Sequence, residues 1–487
     1  MRIFERIQKK LNWSKSRYLG LIAGVVVIGY VASATYHVLK PLPEGLDYTG
    51  TLRHADVQFL SDQSYIDAQG KQQHDQHIFN QILALIKQAK TTIVLDMFLF
   101  NNEVGKSTVD HRALAEELTQ ALIAKRKSDP NISIIMLTDP INSVYGGIEP
   151  EQYRLLRQAG VEVIETNLLP LRASNPTWSG LWYMCCQSLG NNPKSGWLPS
   201  PFGSEKVTLR SYLDLANFKA NHRKTIVADS ADGWQSIVSS LNPHDGSSNH
   251  SNVGLLVKGA TAADILQTEQ SVANFSNGAV PALLLSDPQP DTSKPQVQVL
   301  TEGAIYQSVL NLINSAKSQQ QIDVAMFYLS ERQIIKALIA AHERGVRLRI
   351  LLDPNKDAFG HQKNGIPNRP VASELNAVGI PVRWCDTHGE QCHSKMILKT
   401  AGTESELILG SANYTARNLK NYNLETDLLV KGTSTEPVFT DAQAYFNRAW
   451  SNLDGRKMSV DYQHYADEST VKYALYRFME WSGLSTF

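Results

Sequence analysis

Two hydrophobic patterns alternate along this chain, and the alternation occurs twice. Residues 82–90 (ILALIKQAK) carry apolar positions at helical spacing and lead into the mainly apolar run 93–98 (IVLDMF). That order predicts a helix followed by a buried strand. Residues 309–317 (VLNLINSAK) lead in the same way into 322–327 (IDVAMF). The next runs match as well: 132–140 (ISIIMLTDP) with 346–354 (VRLRILLDP), then 159–163 (AGVEV) with 378–382 (VGIPV). The series closes on LLVKG at 255–259 and again at 428–432. A long-period duplication of this kind predicts two homologous lobes. Short apolar strands alternating with helices predict an α/β sandwich in each lobe, built on a mixed and largely buried sheet.

One stretch breaks this pattern. Residues 18–38 (YLGLIAGVVVIGYVASATYHV) contain no Asp, Glu, Lys or Arg, and about 20 apolar residues cross a bilayer core. Arg2, Arg6, Lys9, Lys10, Lys15 and Arg17 precede it against Glu5 alone. Positive charge stays cytoplasmic, so the sequence predicts a single-pass anchor with the N-terminus inside and the rest on the extracytoplasmic, periplasmic side. The competing reading is a cleaved signal peptide, because Ala32-Ser33-Ala34 has the A-x-A form.

The expected organisation is a basic segment 1–17, the anchor 18–38, a linker 39–60 and a first lobe 61–285. A Pro-rich polar linker 286–296 then leads to a second lobe 297–457 and a tail 458–487. An extra segment, about 167–221, interrupts the first lobe and holds Trp178, Trp182, Tyr183, Trp197, Phe202, Tyr212 and Phe218. It reads either as a lid or lipid-contacting loop, or as a packed insertion. The tail run 471–484 (VKYALYRFMEWSGL) reads as an amphipathic helix, with packing on the core favoured over docking on a membrane.

Composition narrows the partners. The 47 basic and 47 acidic residues cancel, which together with the absence of a long basic run weighs against nucleic acid. The four cysteines form no C-x-x-C pair, so a structural zinc site is not expected. Cys385 and Cys392 flank a short loop, and a disulfide or two free thiols both fit. Adjacent Cys185 and Cys186 are not expected to pair without strain.

The candidate chemistry is also duplicated. His222-Arg223-Lys224 is followed by Asp229 and by Ser240 and Asn242 in SSLN; His393-Ser394-Lys395 is followed by Ser411 and Asn413 in GSAN. One H-x-K arises easily by chance, but two copies in register imply two half-sites. On a strand, residues i and i+2 share a face, so each His and Lys would point together. A phosphodiester needs a nucleophile, a proton donor for the leaving alcohol and cations around the phosphoryl oxygens. Two histidines, Lys224, Lys395 and the amides of Asn242 and Asn413 supply these, helped by Ser240 and Ser411.

The paired motifs, the GSAN stretch and the repeat resemble the phospholipase D superfamily over about residues 55–457. Asp353-Pro354-Asn355-Lys356 is similar to bacterial members, and the anchor with two lobes resembles membrane-bound phospholipase D enzymes, including cardiolipin synthases. The resemblance implies a phosphohistidine intermediate on His222, with His393 as general acid and then base. It implies a phospholipid substrate at a membrane, water or an alcohol as acceptor, and no cofactor or metal. It also implies an acidic residue some thirty positions after each histidine; Glu425 fills that role after His393, whereas Asn252 stands after His222. On that spacing His393 gains the carboxylate, which leaves the two roles open to reversal. Thr400 replaces the Asp expected in the second motif, and Ser239 the first Gly of GSxN. The competing functions are a nuclease of the same superfamily and a degenerate phosphate- or lipid-binding protein. Head-group preference, hydrolysis against transfer, and oligomeric state stay open.

Overall fold

The computed structural model describes residues 14–107, 109–281, 291–358, 361–485 and 487. Most of segment 1–17, and residues 286–290 of the expected linker 286–296, lie outside them. Two mixed sheets form the body. The first runs, by strand, Gln72–Asp75, Val57–Ile66, Asn252–Lys258, Gly233–Ser239, Lys224–Ser230, Thr92–Met97, Ser133–Thr138 and Glu162–Glu165. The second repeats the order over Gln296–Thr301, Thr426–Thr433, Glu404–Gly410, Lys395–Ala401, Gln321–Met326, Arg347–Leu352 and Val382–Cys385. Its edges are completed by Arg53–His54, from the expected linker, and Ser459–Asp461, from the expected tail.

In both sheets the H-x-K strand lies antiparallel to a central strand, Thr92–Met97 or Gln321–Met326, which pairs in parallel with the next strand of its lobe. The strand Thr92–Met97 is buried at every position, as expected for a sheet covered on both faces. Amphipathic helices cover the outer faces. In Ile78–Gln88, Ile78, Phe79, Ile82, Leu85 and Ile86 turn inward, a stripe at i, i+3 and i+4 spacing. The inner faces of the two sheets share one core. Phe59, Val238 and Leu255 of the first lobe join Leu409, Leu428 and Tyr445 of the second in it, so the lobes are a single packed unit.

Residues 15–39 form one continuous helix with no buried residue, long and apolar enough to cross a membrane. Its C-terminal half crosses the helix Pro176–Cys185 of the insertion. Tyr30 Oη donates to Thr177 O at 2.8 Å and Ser33 Oγ to Gly180 O at 3.0 Å. A Cβ on Gly180 would stand 2.8 Å from Ala34 Cβ, so only glycine permits this approach. His37 stacks on Tyr183 with ring centroids 3.4 Å apart.

The cysteines pair as Cys385–Cys392 and as Cys185–Cys186. The second bond overturns the expectation. Cys185 ends the insertion helix, and Cys186 leaves helical geometry at φ −129° and ψ −16°, which lets the neighbouring sulfurs meet.

Candidate active site

Each H-x-K enters its strand from a segment that bridges to the other lobe. His222 N–H donates to Leu424 O at 2.9 Å, and Leu424 N–H returns to Ala220 O at 3.0 Å. The mirror pair is His393 N–H to Ser251 O at 2.8 Å and Ser251 N–H to Gln391 O at 3.1 Å. These bridges exchange the supporting residues between lobes. His222 Nδ1 lies 3.0 Å from the Glu425 carboxylate, whereas His393 Nδ1 lies 3.2 Å from Asn252 Oδ1. Sequence spacing assigned Glu425 to His393. The fold reverses that assignment, because each orienting residue crosses the lobe boundary.

Both histidines line one cavity of about 1110 Å³, together with Asn242, Asn413, Phe98 and Phe327. Lys224 and Lys395 are fully buried beside it, and each ammonium donates to the carbonyl of the histidine two residues earlier, at 2.5 and 2.9 Å. The strands begin at Lys224 and Lys395, so each histidine stands just before its strand and not on it. The two asparagines each leave a buried Oδ1 without a partner, so neither amide is committed to the surrounding protein through that atom.

Three sequence-assigned residues bond to neighbouring protein groups: Asp229, Ser240 and Ser411. Asp229 sits at the far end of Lys224–Ser230. There its carboxylate accepts Thr91 N–H, Thr92 N–H and Thr91 Oγ1, each at 2.9 Å. Five residues of extended strand separate it from Lys224 by about 17 Å, so it stabilises a strand entry and stays outside the site. Thr400 holds the equivalent position in the second lobe, paired with Gln321; the missing Asp is therefore remote from the chemistry. Ser240 and Ser411 are fully buried. Ser240 Oγ donates to Asn252 Oδ1 at 3.0 Å, and Ser411 Oγ donates to Glu425. Both hydroxyls therefore bond the groups that orient the histidines.

The structure adds residues that sequence reasoning passed over. Asp139 accepts Asn221 N–H at 2.6 Å and Asp353 accepts Cys392 N–H at 2.8 Å, each fixing the residue before a catalytic-type histidine. The repeated Asp-Pro was visible, but it reads as a strand end. Phe98 and Phe327 place their rings 4.7 and 4.9 Å from His222 and His393, and 4.9 and 5.1 Å from the ammonium groups of Lys224 and Lys395. The repeated Met-Phe pair was their signal. Arg223, the middle residue of its motif, points away from the cavity and joins Glu302 at 2.8 Å; Glu302 in turn accepts Glu425 N–H at 3.1 Å. Asn418 donates to Glu425, and no sequence pattern marks it.

Burial and the two lysine charges hold both imidazoles well below their ordinary pKa. Burial likewise lowers Lys224 to about 7, although Glu425 and Asp96 pull the other way. Burial lifts Glu425 to about 7 against the pull of Lys224. An anion in the cavity favours the protonated forms of the imidazoles and of the two lysines.

A family model described as cardiolipin synthase, PLD-like domain, matches residues 309–450. Mitochondrial cardiolipin hydrolase of Mus musculus is 28% identical over 142 residues, which is 29% of this chain and 57% of that protein. The Homo sapiens protein of the same name is 26% identical over 140 residues, 29% of this chain and 49% of that one. The chain thus spans about half the length of the curated relatives it matches. Among solved structures, phosphatidylserine synthase of Haemophilus influenzae Rd KW20 superposes with a TM-score of 0.55 at 12% identity, over 93% of this chain and 97% of that one. That likeness establishes a shared fold.

Proposed function

We propose that this chain, a member of the phospholipase D superfamily, is a membrane-tethered phosphodiesterase that acts on the phosphodiester of membrane phospholipids. The observation that carries this reading is the cross-lobe pairing of two H-x-K histidines in one cavity, one backed by a carboxylate and the other by an amide.

Glu425 accepts the Nδ1 proton of His222 and leaves Nε2 as the nucleophilic nitrogen. Nε2 forms a bond to phosphorus as the bond to the leaving alcohol breaks. His393 gives its proton to the departing oxygen. The carboxylate stabilises the positive charge that grows on His222, which favours it as nucleophile. An amide supports imidazolium less well, which suits His393 to releasing a proton. In the second half, His393 takes a proton from water or an acceptor alcohol. The new oxygen attacks phosphorus and the nitrogen–phosphorus bond breaks. Lys224, Lys395, Asn242 and Asn413 stabilise the phosphoryl oxygens throughout.

Contacts of the apolar helix with the insertion support an anchor over a cleaved leader. Tyr30, Ser33 and Ala34 are packed against the insertion, so cleavage after Ala34 would strip a built contact. The test uses the full chain with phosphatidylglycerol vesicles, with and without added glycerol or ethanol, and resolves products by mass spectrometry. Phosphatidic acid indicates hydrolysis; cardiolipin or phosphatidylethanol indicates transfer. Each product is expected to vanish in His222→Ala and His393→Ala. No lipid product from the native chain, with cleavage of single-stranded DNA instead, would replace this reading with a nuclease.

A further inference from the structure

Exposed large apolar side chains are concentrated in three places. Outside the apolar helix, they occur in the insertion, at Leu169, Leu181, Met184, Leu189, Trp197, Phe202 and Leu209, and in the tail helix. Among the described residues, only Leu52, Val109, Val378 and Leu453 lie elsewhere, singly. Scattered apolar residues need no explanation, but clustered ones mark a contact surface.

The tail helix Thr470–Ser482 has two apolar faces. Tyr476 is buried, and Tyr473 and Met479 pack beside it on the second lobe's outer core. On the opposite side Val471, Leu475, Phe478 and Trp481 are 75%, 42%, 50% and 83% exposed. Their spacing of four, three and three residues keeps them on one stripe. The insertion helix Pro176–Cys185 carries no charged residue, exposes Leu181 and Met184, and lies along the apolar helix.

All three elements meet at residues 172–175. Ala173 N–H donates to His37 O at 2.8 Å and Arg172 Nε to Lys40 O at 2.8 Å, which ties this segment to the end of the apolar helix. Arg417 binds Ser174 Oγ at 3.2 Å and Gly483 O at 3.4 Å, which ties it to the end of the tail helix. Gly483, at φ 72°, lets the tail backbone touch Ser174 O, where a Cβ would stand 1.7 Å away. Arg417, Phe218 and Phe487 also line the cavity. The candidate span, both exposed stripes and the cavity wall therefore share one junction.

We propose that the insertion helix and the tail helix dock on the bilayer that the apolar helix crosses, so that the cavity takes its lipid from that same leaflet. The lipid surface is the occupant because the stripes adjoin a helix that itself could span it, and because Trp481 and Phe478 suit the headgroup boundary. Arg477 flanks the stripe and Tyr473 receives its guanidinium, as on a helix lying in the interface. The supply route, though not the docking, rests on the phospholipid reading above.

The experiment uses the full chain in phosphatidylcholine–phosphatidylglycerol liposomes. Phe478→Cys and Trp481→Cys carry an environment-sensitive fluorophore, with Val378→Cys as control. Blue-shifted emission and quenching by brominated lipid at 478 and 481, absent at 378, are expected. Emission at 478 and 481 equal to the control would overturn the docking. In a second arm, Phe478→Glu/Trp481→Glu is expected to cut turnover of vesicle phosphatidylglycerol roughly tenfold, since charge is repelled from the apolar boundary. Turnover of water-soluble bis(p-nitrophenyl) phosphate should be unchanged. Equal loss on both substrates would refute the supply route. A native chain inactive on both would remove the catalytic reading, while the quenching still decides the docking.

Discussion

Replacing Glu425 with Gln removes one charge from the centre of the site and little volume. Glu425 is fully buried, and both its oxygens are committed: His222 Nδ1 reaches them at 3.0 Å, Ser411 Oγ and Asn418 Nδ2 each take one, and Glu302 holds its own N–H. The amide keeps one acceptor and turns the other into a donor. Ser411 Oγ can rotate to accept it, since its present partners include Thr426 N–H at 3.0 Å; the geometry survives and the charge is lost. A hydrogen bond to a charged group contributes about 2–3 kcal/mol. If that interaction matures as His222 becomes cationic, the rate falls about 30- to 150-fold. The assay is pre-steady-state product formation on phosphatidylglycerol vesicles, with thermal unfolding alongside. Slow phosphoryl transfer to the enzyme with an unchanged melting temperature is expected. A loss below about threefold in Glu425→Gln, with a large loss in Asn252→Ala, would refute the assignment of His222 as nucleophile and exchange the two histidines.

Asn252→Asp places a carboxylate against His393 and stabilises its protonated form. The fall in rate at high pH, where the general acid loses its proton, is expected to move to higher pH in a kcat profile; an unmoved alkaline limb would deny His393 that role. Asp229→Ala should leave kcat unchanged and lower stability by about 1 kcal/mol through unsatisfied backbone N–H groups, as denaturant titration will show. The Asp229 pKa is lowered by its hydrogen bonds with Thr91 and Thr92, against the opposing effect of burial. The deficit should therefore be present above the unfolded carboxyl pKa and fade as pH falls through the folded one. Gly180→Val drives a side chain into Ala34 and Tyr30; it is expected to loosen the apolar helix from the insertion, measurable as a lost Tyr30–Thr177 proximity in site-directed crosslinking.

Much of the fold was legible because burial leaves a local trace. The runs 93–98 and 322–327 are apolar since their sheets are covered on both faces, and they proved to be equivalent strands. The insertion was readable as rich in aromatics. Its crossing with the apolar helix was not, because Gly180 and Ala34 approach each other across 146 residues of sequence. The tail helix was expected to bury its apolar face in the core. It buries only Tyr476 fully and presents a second stripe outward, a choice made by where the lobes leave room.

The sequence by itself determined two lobes, a span-length helix, and a His two residues before a strand-opening Lys in each lobe, since periods of 2 and 3.6 and the local spacing of a motif are written in adjacent residues. Only tertiary structure decided which partner serves which histidine. Glu425 follows His393 along the chain yet supports His222, and Asn252 supports His393. The reason is physical: the backbone bridges Asn221–Leu424 and Ser251–Cys392 join lobes that are distant in sequence. A side chain's partner is set by which strands those bridges bring together.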